Sequence, residues 1–137
     1  MRSKLNPYLN FDGTAKDAME FYKAALGGEL TMSTFGEAGM THEGGDKDKI
    51  MHAMLVTESG ITLMASDTPP EWTLNVGNNV SVSLSGDDDA ELTGYWEKLS
   101  AGGTVDQPLV QAPWGDKFGM FTDKFGIRWM LNIAAAK

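Results

Sequence analysis

Short segments in the first half of the chain alternate apolar and polar residues, which is the pattern of β-strands with one buried face. The predicted strands cover residues 7–11, 29–35, 50–58 and 61–66. Between the first two, apolar residues recur at spacings of three and four, which predicts an amphipathic helix over residues 15–26. Ser59 and Gly60 separate the last two strands and predict a two-residue hairpin turn. The first half is therefore predicted to have the order β-α-β-β-β.

The second half of the chain repeats this order. Its predicted elements are a strand over residues 79–84, a helix over 90–100, and strands over 104–111, 117–121 and 126–133. The Gly-Gly pair that ends the first helix at positions 27–28 recurs after the second helix at positions 102–103. We therefore interpret residues 1–137 as one α+β domain made of two pseudo-symmetric βαβββ repeats, about 5–68 and 78–134.

A Gly-rich, charged segment over residues 36–49 separates the second and third strands of the first repeat. Its length and composition predict an exposed lid or a disordered connection. His42 and Glu43 lie in this segment, where they could close over a site or simply face solvent.

The composition limits the classes of partner. A chain of 137 residues can bury a sizeable core as one domain. Eleven Lys and Arg residues against nineteen Asp and Glu residues give a net charge of −8, which argues against nucleic acid as a partner. The absence of cysteine excludes disulfides and thiolate chemistry. Because the sequence has neither a signal-peptide pattern nor an apolar run of roughly 18 residues, we expect a cytoplasmic protein with no membrane partner.

Three phrases of the sequence carry a family resemblance that extends over nearly the whole chain. They are NPYLNFDGTAKDAMEFYKAALGGEL, MHAMLVTESGITLMASDTPP and PWGDKFGMFTDKFGIRWMLNI. They resemble the PhnB-like branch of the vicinal oxygen chelate superfamily, which includes glyoxalases, bleomycin resistance proteins and dioxygenases. The resemblance implies a cup-shaped mixed sheet with the helices outside, and a homodimer.

Metal enzymes of this superfamily take one ligand from the first strand and one from the last strand of each repeat. The resemblance assigns these positions to Asn6, Met64, Asn79 and Met130. Amide oxygen and thioether sulfur are weak ligands for zinc, nickel or ferrous iron. We therefore predict no resident metal and no other cofactor, with a divalent ion bound at a non-standard site as the alternative.

Strand alternation within the implied cup predicts which side chains meet a ligand. The predicted ligand contacts are Tyr8, Asn10, Ser81, Arg128 and Asn132. An inward arginine favours a bidentate acceptor, so the ligand is expected to be small and polar or anionic. Alternatively, Arg128 pairs internally with Asp67 or Asp123. On the opposite face, Val80 and Val82 are predicted to lie under the helices.

His52 lies in the middle of the predicted strand IMHAML. It is the candidate catalytic residue, as a general base or a lone metal ligand. The alternative is an ordinary hydrogen-bonded histidine of a strand.

Three functions are compatible with these patterns. The first is binding of a small molecule in the cup without the usual metal. The second is a divalent-metal-dependent lyase, transferase or dioxygenase, glyoxalase-like or dioxygenase-like, that uses His52 and carboxylates outside the four standard positions. The third is an interaction module whose dimer surface carries the function. A methyltransferase is not expected, because the sequence has no glycine-rich dinucleotide-type loop.

Overall fold

Each half of the chain folds around a four-stranded mixed sheet in the computed structural model, which describes residues 3–39, 47–69 and 72–135. His42 and Glu43 of the predicted lid lie outside the described residues. The chain divides into two compact units, Met1–Asn75 and Val76–Lys137, called unit 1 and unit 2 below. Within the described ranges, no helix is long and apolar enough to cross a membrane.

Unit 1 contains one helix and four strands. They are β1 (Tyr8–Phe11), α1 (Ala15–Leu26), β2 (Glu29–Thr34), β3 (Ile50–Val56) and β4 (Thr62–Asp67). The strand order is β1-β4-β3-β2, with β1 parallel to β4 and the other pairs antiparallel. The apolar stripe of α1, which includes Met19 and Tyr22, is fully buried and packs on the sheet. The helix-facing side chains of the central strands, such as Leu55 and Leu63, complete this core.

Unit 2 has the same order of elements. They are β5 (Val82–Gly86), α2 (Asp89–Ser100), β6 (Thr104–Gln111), β7 (Lys117–Thr122) and β8 (Arg128–Ile133). The strand order is β5-β8-β7-β6, with β5 parallel to β8. Asp88 caps α2 by accepting a hydrogen bond from the backbone N–H of Glu91, at 3.1 Å. Beneath the helix, the Phe121 ring lies 5.0 Å from the Trp96 ring and 6.3 Å from the Trp129 ring, between centroids.

A close backbone approach recurs at the same place in the two units. Gly28, just before β2, faces the carbonyl oxygen of Val56, and Gly103, just before β6, faces that of Thr122. A Cβ atom at either glycine would overlap that carbonyl. The Gly-Gly pair therefore follows the end of each helix, and its second glycine allows the backbone of the neighbouring strand to approach closely.

The turn between β3 and β4 is longer than the sequence predicts. The Thr57 N–H donates to the Ile61 carbonyl at 3.0 Å, and Gly60 closes the turn with a φ of 92°. The loop therefore has three residues and ends in a left-handed glycine, so the predicted two-residue turn is wrong. The Asp123–Ile127 turn of unit 2 has the same pattern, with Gly126 at a φ of 90°.

The start of β5 also differs from the prediction. Pairing with β8 begins at Val82, opposite Trp129, after bends at residues 78 and 79. Val80 precedes the strand and is 75% exposed, so its predicted position in the core is wrong.

Candidate functional site

Each sheet has one face that points away from the helix of its own unit, and we call it the distal face. On the distal face of unit 1 lie Tyr8, Asn10, Thr31, Ser33, His52, Met54, Thr62, Met64 and Ser66. On the distal face of unit 2 lie Ser83, Ser85, Gln107, Val110, Phe118, Met120, Thr122, Arg128, Met130 and Asn132. The intervening residues of the central strands are buried toward the helices, which is the alternation expected of a half-covered sheet.

The structure brings the predicted contacts together in two groups. Tyr8 and Asn10 share the distal face of unit 1 with His52. Arg128 and Asn132 share the distal face of unit 2. Ser81 precedes β5 and is half-buried.

Tyr8 and His52 interact directly. The Tyr8 hydroxyl lies 3.4 Å from His52 Nδ1, and the ring centroids are 6.0 Å apart at an interplanar angle of 37°. His52 is half-buried and pairs with Ser33 of β2, while Tyr8 is 46% exposed. This contact orients the imidazole through Nδ1 and leaves Nε2 for another partner. The catalytic role of His52 stays a prediction.

Asn10 lies beside the Tyr8 and His52 pair on the same face. Its side-chain oxygen accepts a hydrogen bond from the Ser66 hydroxyl, at 3.4 Å. The contact follows the parallel register, in which Asn10 is directly opposite Ser66. The carboxamide nitrogen of Asn10 is therefore the donor that this pair can offer to a ligand.

Arg128 carries the least satisfied polar group of unit 2. Its Nε is buried and has no hydrogen-bond partner in the part of the chain that the structure describes. Leaving a buried donor without a partner costs about 1–3 kcal/mol, and most native donors avoid this. The side chain as a whole is half-buried, on β8 opposite Thr122 of β7.

The two carboxylates that the sequence suggests as partners of Arg128, Asp67 and Asp123, accept hydrogen bonds from other donors. Asp67 accepts hydrogen bonds from the backbone N–H groups of Ala15 and Ile50, at 3.0 and 2.8 Å. Asp123 accepts from two backbone N–H groups of its own turn and, at 2.8 Å, from the indole Nε1 of Trp129. An internal ion pair of Arg128 with Asp67 or Asp123 stays an alternative prediction.

Asn132 is held by a residue that sequence reasoning missed. Its Nδ2 donates to Asp116 Oδ2 at 3.0 Å, and the other Asp116 oxygen accepts from the Ala135 N–H at 2.9 Å. These two hydrogen bonds hold the pKa of the Asp116 carboxyl below its ordinary value. Because Asp116 binds the amide nitrogen, Asn132 keeps its carbonyl oxygen to accept a ligand donor.

The four positions assigned to metal ligands by the family resemblance do not fit a borderline divalent ion. Asn6 and Asn79 precede β1 and β5. On the parallel neighbouring strands β1 and β5, the residues opposite Met64 and Met130 are Tyr8 and Ser83. These positions supply amide, hydroxyl and thioether groups, not imidazole and carboxylate. Among the described residues, no three His, Asp or Glu side chains lie close enough together to hold a metal.

Two methionine pairs occupy the centres of the two distal faces. Met54 is directly opposite Met64 in unit 1, and Met120 is directly opposite Met130 in unit 2. The sequence shows nine methionines but not this pairing, because cross-strand register depends on turn length.

Known proteins match the chain over nearly its full length. The model of the Glyoxalase/Bleomycin resistance protein/Dioxygenase superfamily matches residues 4–131. Protein YjdN of Escherichia coli strain K12 is 29% identical over 140 residues, which cover 94% of this chain and 94% of that protein.

Solved structures with the same fold include two bacterial proteins. The crystal structure of protein PA1353 from Pseudomonas aeruginosa has a TM-score of 0.87 and 40% identity, and the match covers 98% of this chain and 99% of that one. A PhnB protein from Bacillus cereus has a TM-score of 0.77 and 24% identity, with 96% and 100% covered. These likenesses confirm the predicted α+β fold, and a PhnB protein is among the structures that share it.

Proposed function

Because the chain belongs to the glyoxalase/bleomycin resistance protein/dioxygenase superfamily, we propose that it binds a small anionic molecule without the usual metal. The anchor of this site is Arg128, on the distal face of unit 2. The ligand is a carboxylate or phosphate small enough to meet one guanidinium and its immediate polar neighbours.

The buried Nε of Arg128, which has no partner among the described residues, is the observation that carries the proposal. An anionic oxygen would supply the missing acceptor and balance the positive charge at once. Asp123 of the same unit already accepts three hydrogen bonds from N–H donors, so we assign the missing acceptor to a bound anion.

Neighbouring groups add polar contacts around the anchor. Asn132, fixed by Asp116, presents its carbonyl oxygen two positions beyond Met130 on the same strand face. Ser83 and Ser85 of β5 lie opposite Met130 and Asn132, and they contribute hydroxyl groups. The resulting face combines one cation, hydroxyl and amide groups and two thioethers, which suits an organic anion with an apolar body. The carboxylates of Asp106 and Asp116 accept hydrogen bonds from Thr122 and Asn132 of this face.

The contacts predicted on unit 1 enter the proposal as a second polar surface. Tyr8 contacts His52 at 3.4 Å, and Asn10 separately accepts a hydrogen bond from Ser66 at 3.4 Å. They present hydroxyl, amide and imidazole groups on the distal face of unit 1 itself. No cationic side chain lies among the described distal residues of unit 1, so the anion itself is assigned to unit 2.

Anion binding can be measured directly at the Arg128 side chain. A panel of small carboxylates and phosphates is added to the ¹⁵N-labelled chain, and the Arg128 Nε–H resonance is followed by NMR. We expect a panel member to shift this resonance and to raise the melting temperature. Arg128→Gln should weaken binding about tenfold or more, since a hydrogen bond to a charged group contributes about 1.5–3 kcal/mol.

The matched control is Lys98→Gln, which removes one positive charge from the exposed part of α2 in the same unit. It should leave affinity unchanged. Equal weakening by the two variants, or a panel that leaves the Arg128 Nε–H resonance unmoved, would contradict the proposed site.

We also propose a homodimer. Its support is three exposed apolar side chains along one edge of unit 2: Val105 and Val110 on the edge strand β6, 47% and 51% exposed, and Trp114 in the following turn, 63% exposed. Light scattering of the wild-type chain should give twice the chain mass, and Val110→Ser with Trp114→Ser should shift it toward the monomer. Trp72→Ser, at an exposed tryptophan of unit 1, is the control. A monomeric wild-type chain would overturn the dimer.

A further inference from the structure

A second binding chemistry is built into unit 1, independent of Arg128. Met54 and Met64 are directly opposite each other on β3 and β4, and both are half-buried on the distal face. His52 lies two residues before Met54 on the same strand and the same face, and it is also half-buried. Three side chains with soft or borderline donor atoms therefore share one small area of the sheet.

The strand register brings these donors within reach of one ion. Directly opposite residues of an antiparallel pair have Cβ atoms about 4.5–5.5 Å apart, and diagonal neighbours are about 7–8 Å apart. Met54 and Met64 form the direct pair, and His52 is diagonal to Met64. Methionine has three rotatable bonds, so its sulfur can move to a shared position without a change in the backbone.

The chemistry of these donors selects a particular class of metal. Thioethers favour soft ions such as Cu(I) over Mg, Ca, Mn or Zn, and imidazole accepts Cu(I) as well. The chain has no cysteine that could compete for a soft ion. We propose that His52, Met54 and Met64 form a site for a soft monovalent d¹⁰ cation, with Cu(I) as the physiological type and Ag(I) as its redox-inert counterpart.

Tyr8 has a positioning role in this site. With Nε2 of His52 on the metal, Nδ1 carries the proton and donates it to the Tyr8 hydroxyl oxygen, which lies 3.4 Å away. This hydrogen bond fixes the tautomer and the orientation of the ring. Tyr8→Phe should therefore lower affinity, by about tenfold, without removing a ligand.

Unit 2 provides a natural counterpart that lacks the site. Its methionine pair, Met120 and Met130, occupies the same place in the same topology. Phe118 stands two residues before Met120, where unit 1 has His52, so the imidazole is missing. Arg128 lies two residues before Met130 on the same face, and its positive charge repels a cation. One methionine pair is therefore equipped for a soft cation, and the other is not.

The test uses the full chain labelled with [¹³C-methyl]methionine and titrated with Ag(I) in chloride-free buffer. We expect one ion per chain and large shifts of two methyl resonances, which the single variants Met54→Leu and Met64→Leu assign to these residues. Anaerobic competition with a Cu(I) chelator should then give the same variant ranking for Cu(I). Leucine nearly preserves the volume of methionine, so folding should be retained, and the melting temperature checks this.

Matched variants decide between a built site and general thioether affinity. Met54→Leu with Met64→Leu should abolish binding, Met120→Leu with Met130→Leu should preserve it, and His52→Phe should weaken it about tenfold or more. Equal losses in the two double variants, uniform shifts of all methionine methyl groups, or no Ag(I) binding would overturn the site and leave the pair as packing only. Arg128→Gln is expected to retain Ag(I), so this result is separable from failure of the anion site.

Discussion

At the scale of single residues, Arg128 links function to an unfavourable feature of the ligand-free chain. Its Nε is buried and has no hydrogen-bond partner among the described residues. Natural proteins often retain such groups at binding sites, where the partner comes from the ligand. Replacing Arg128 by an apolar residue should therefore raise the stability of the ligand-free chain and weaken anion binding.

Arg128→Met is expected to raise the free energy of unfolding of the ligand-free chain by about 1 kcal/mol, because it removes a buried donor that lacks an acceptor. The same variant should lose anion binding. Chemical denaturation without and with a bound anion measures both effects. A clear loss of stability in the ligand-free variant would indicate that Arg128 contributes internal contacts.

Asp116 determines a second prediction at this scale, concerning pH. Its folded-state pKa lies below the ordinary value of 3.8, because Asn132 and the Ala135 N–H donate to the ionised form. The stabilisation is therefore complete above about pH 4 and is lost as the pH falls through the lower, folded-state pKa. Asp116→Asn should lower the melting temperature at pH 7, and its difference from the wild type should shrink toward pH 3. A pH-independent difference would contradict this linkage.

Residue-scale chemistry was only partly accessible from the sequence. Strand alternation placed Tyr8, Asn10, Arg128 and Asn132 on distal faces, because a period of two needs only the local pattern. Asp116 was missed because its contact with Asn132 spans sixteen positions and depends on how a turn folds back. The hydrogen bond from the Trp129 indole to Asp123 was missed as well, because it depends on how the Asp123–Ile127 turn folds.

At the scale of elements, the recurring glycines shape the connection from each helix to the strand that follows it. Gly28 has a φ of 96° and faces Val56, whereas Gly103 lacks a positive φ in the left-handed range and faces Thr122. Steric overlap is therefore the shared reason for glycine at these sites, and backbone strain is an additional reason only at Gly28.

Alanine at either position should lower the free energy of unfolding by about 1–3 kcal/mol through overpacking, with the larger effect at Gly28. Gly94→Ala is the matched control. Gly94 lies within α2 and has open space around its Cα, so alanine should stabilise by about 0.5–1 kcal/mol. Urea denaturation of the three variants checks this order, and destabilisation by all three would contradict it.

The order of the elements was predictable, but two boundaries were not. Apolar periodicity and the Gly-Gly pairs located both helices and all eight strands of the described structure. The turn after β3 was predicted one residue too short, since Ser59-Gly60 matches a two-residue turn locally while the Thr57–Ile61 pairing sets three. The start of β5 depends on its partner β8, which lies more than forty positions away.

At the scale of the whole molecule, net charge opposes the proposed ligand. The chain carries −8, so an anion approaches against a repulsive field until it nears Arg128. Added salt screens this long-range repulsion. The association rate of the bound anion should therefore rise a few-fold with ionic strength in a non-competing salt, as measured by stopped-flow. A rate that falls with salt would indicate steering by a positive surface and contradict this account.

The pairing of the first with the last strand in each unit has a consequence for synthesis of the chain. During synthesis, β1 leaves the ribosome early, but it cannot pair with its parallel partner β4 until the chain has been made up to Asp67. The carboxylate of Asp67 then bonds to the N–H groups of Ala15 and Ile50, joining the start of α1 to the start of β3. Asp67 therefore connects two segments that are synthesised before it. A nascent chain that stalls before Asp67 lacks both hydrogen bonds.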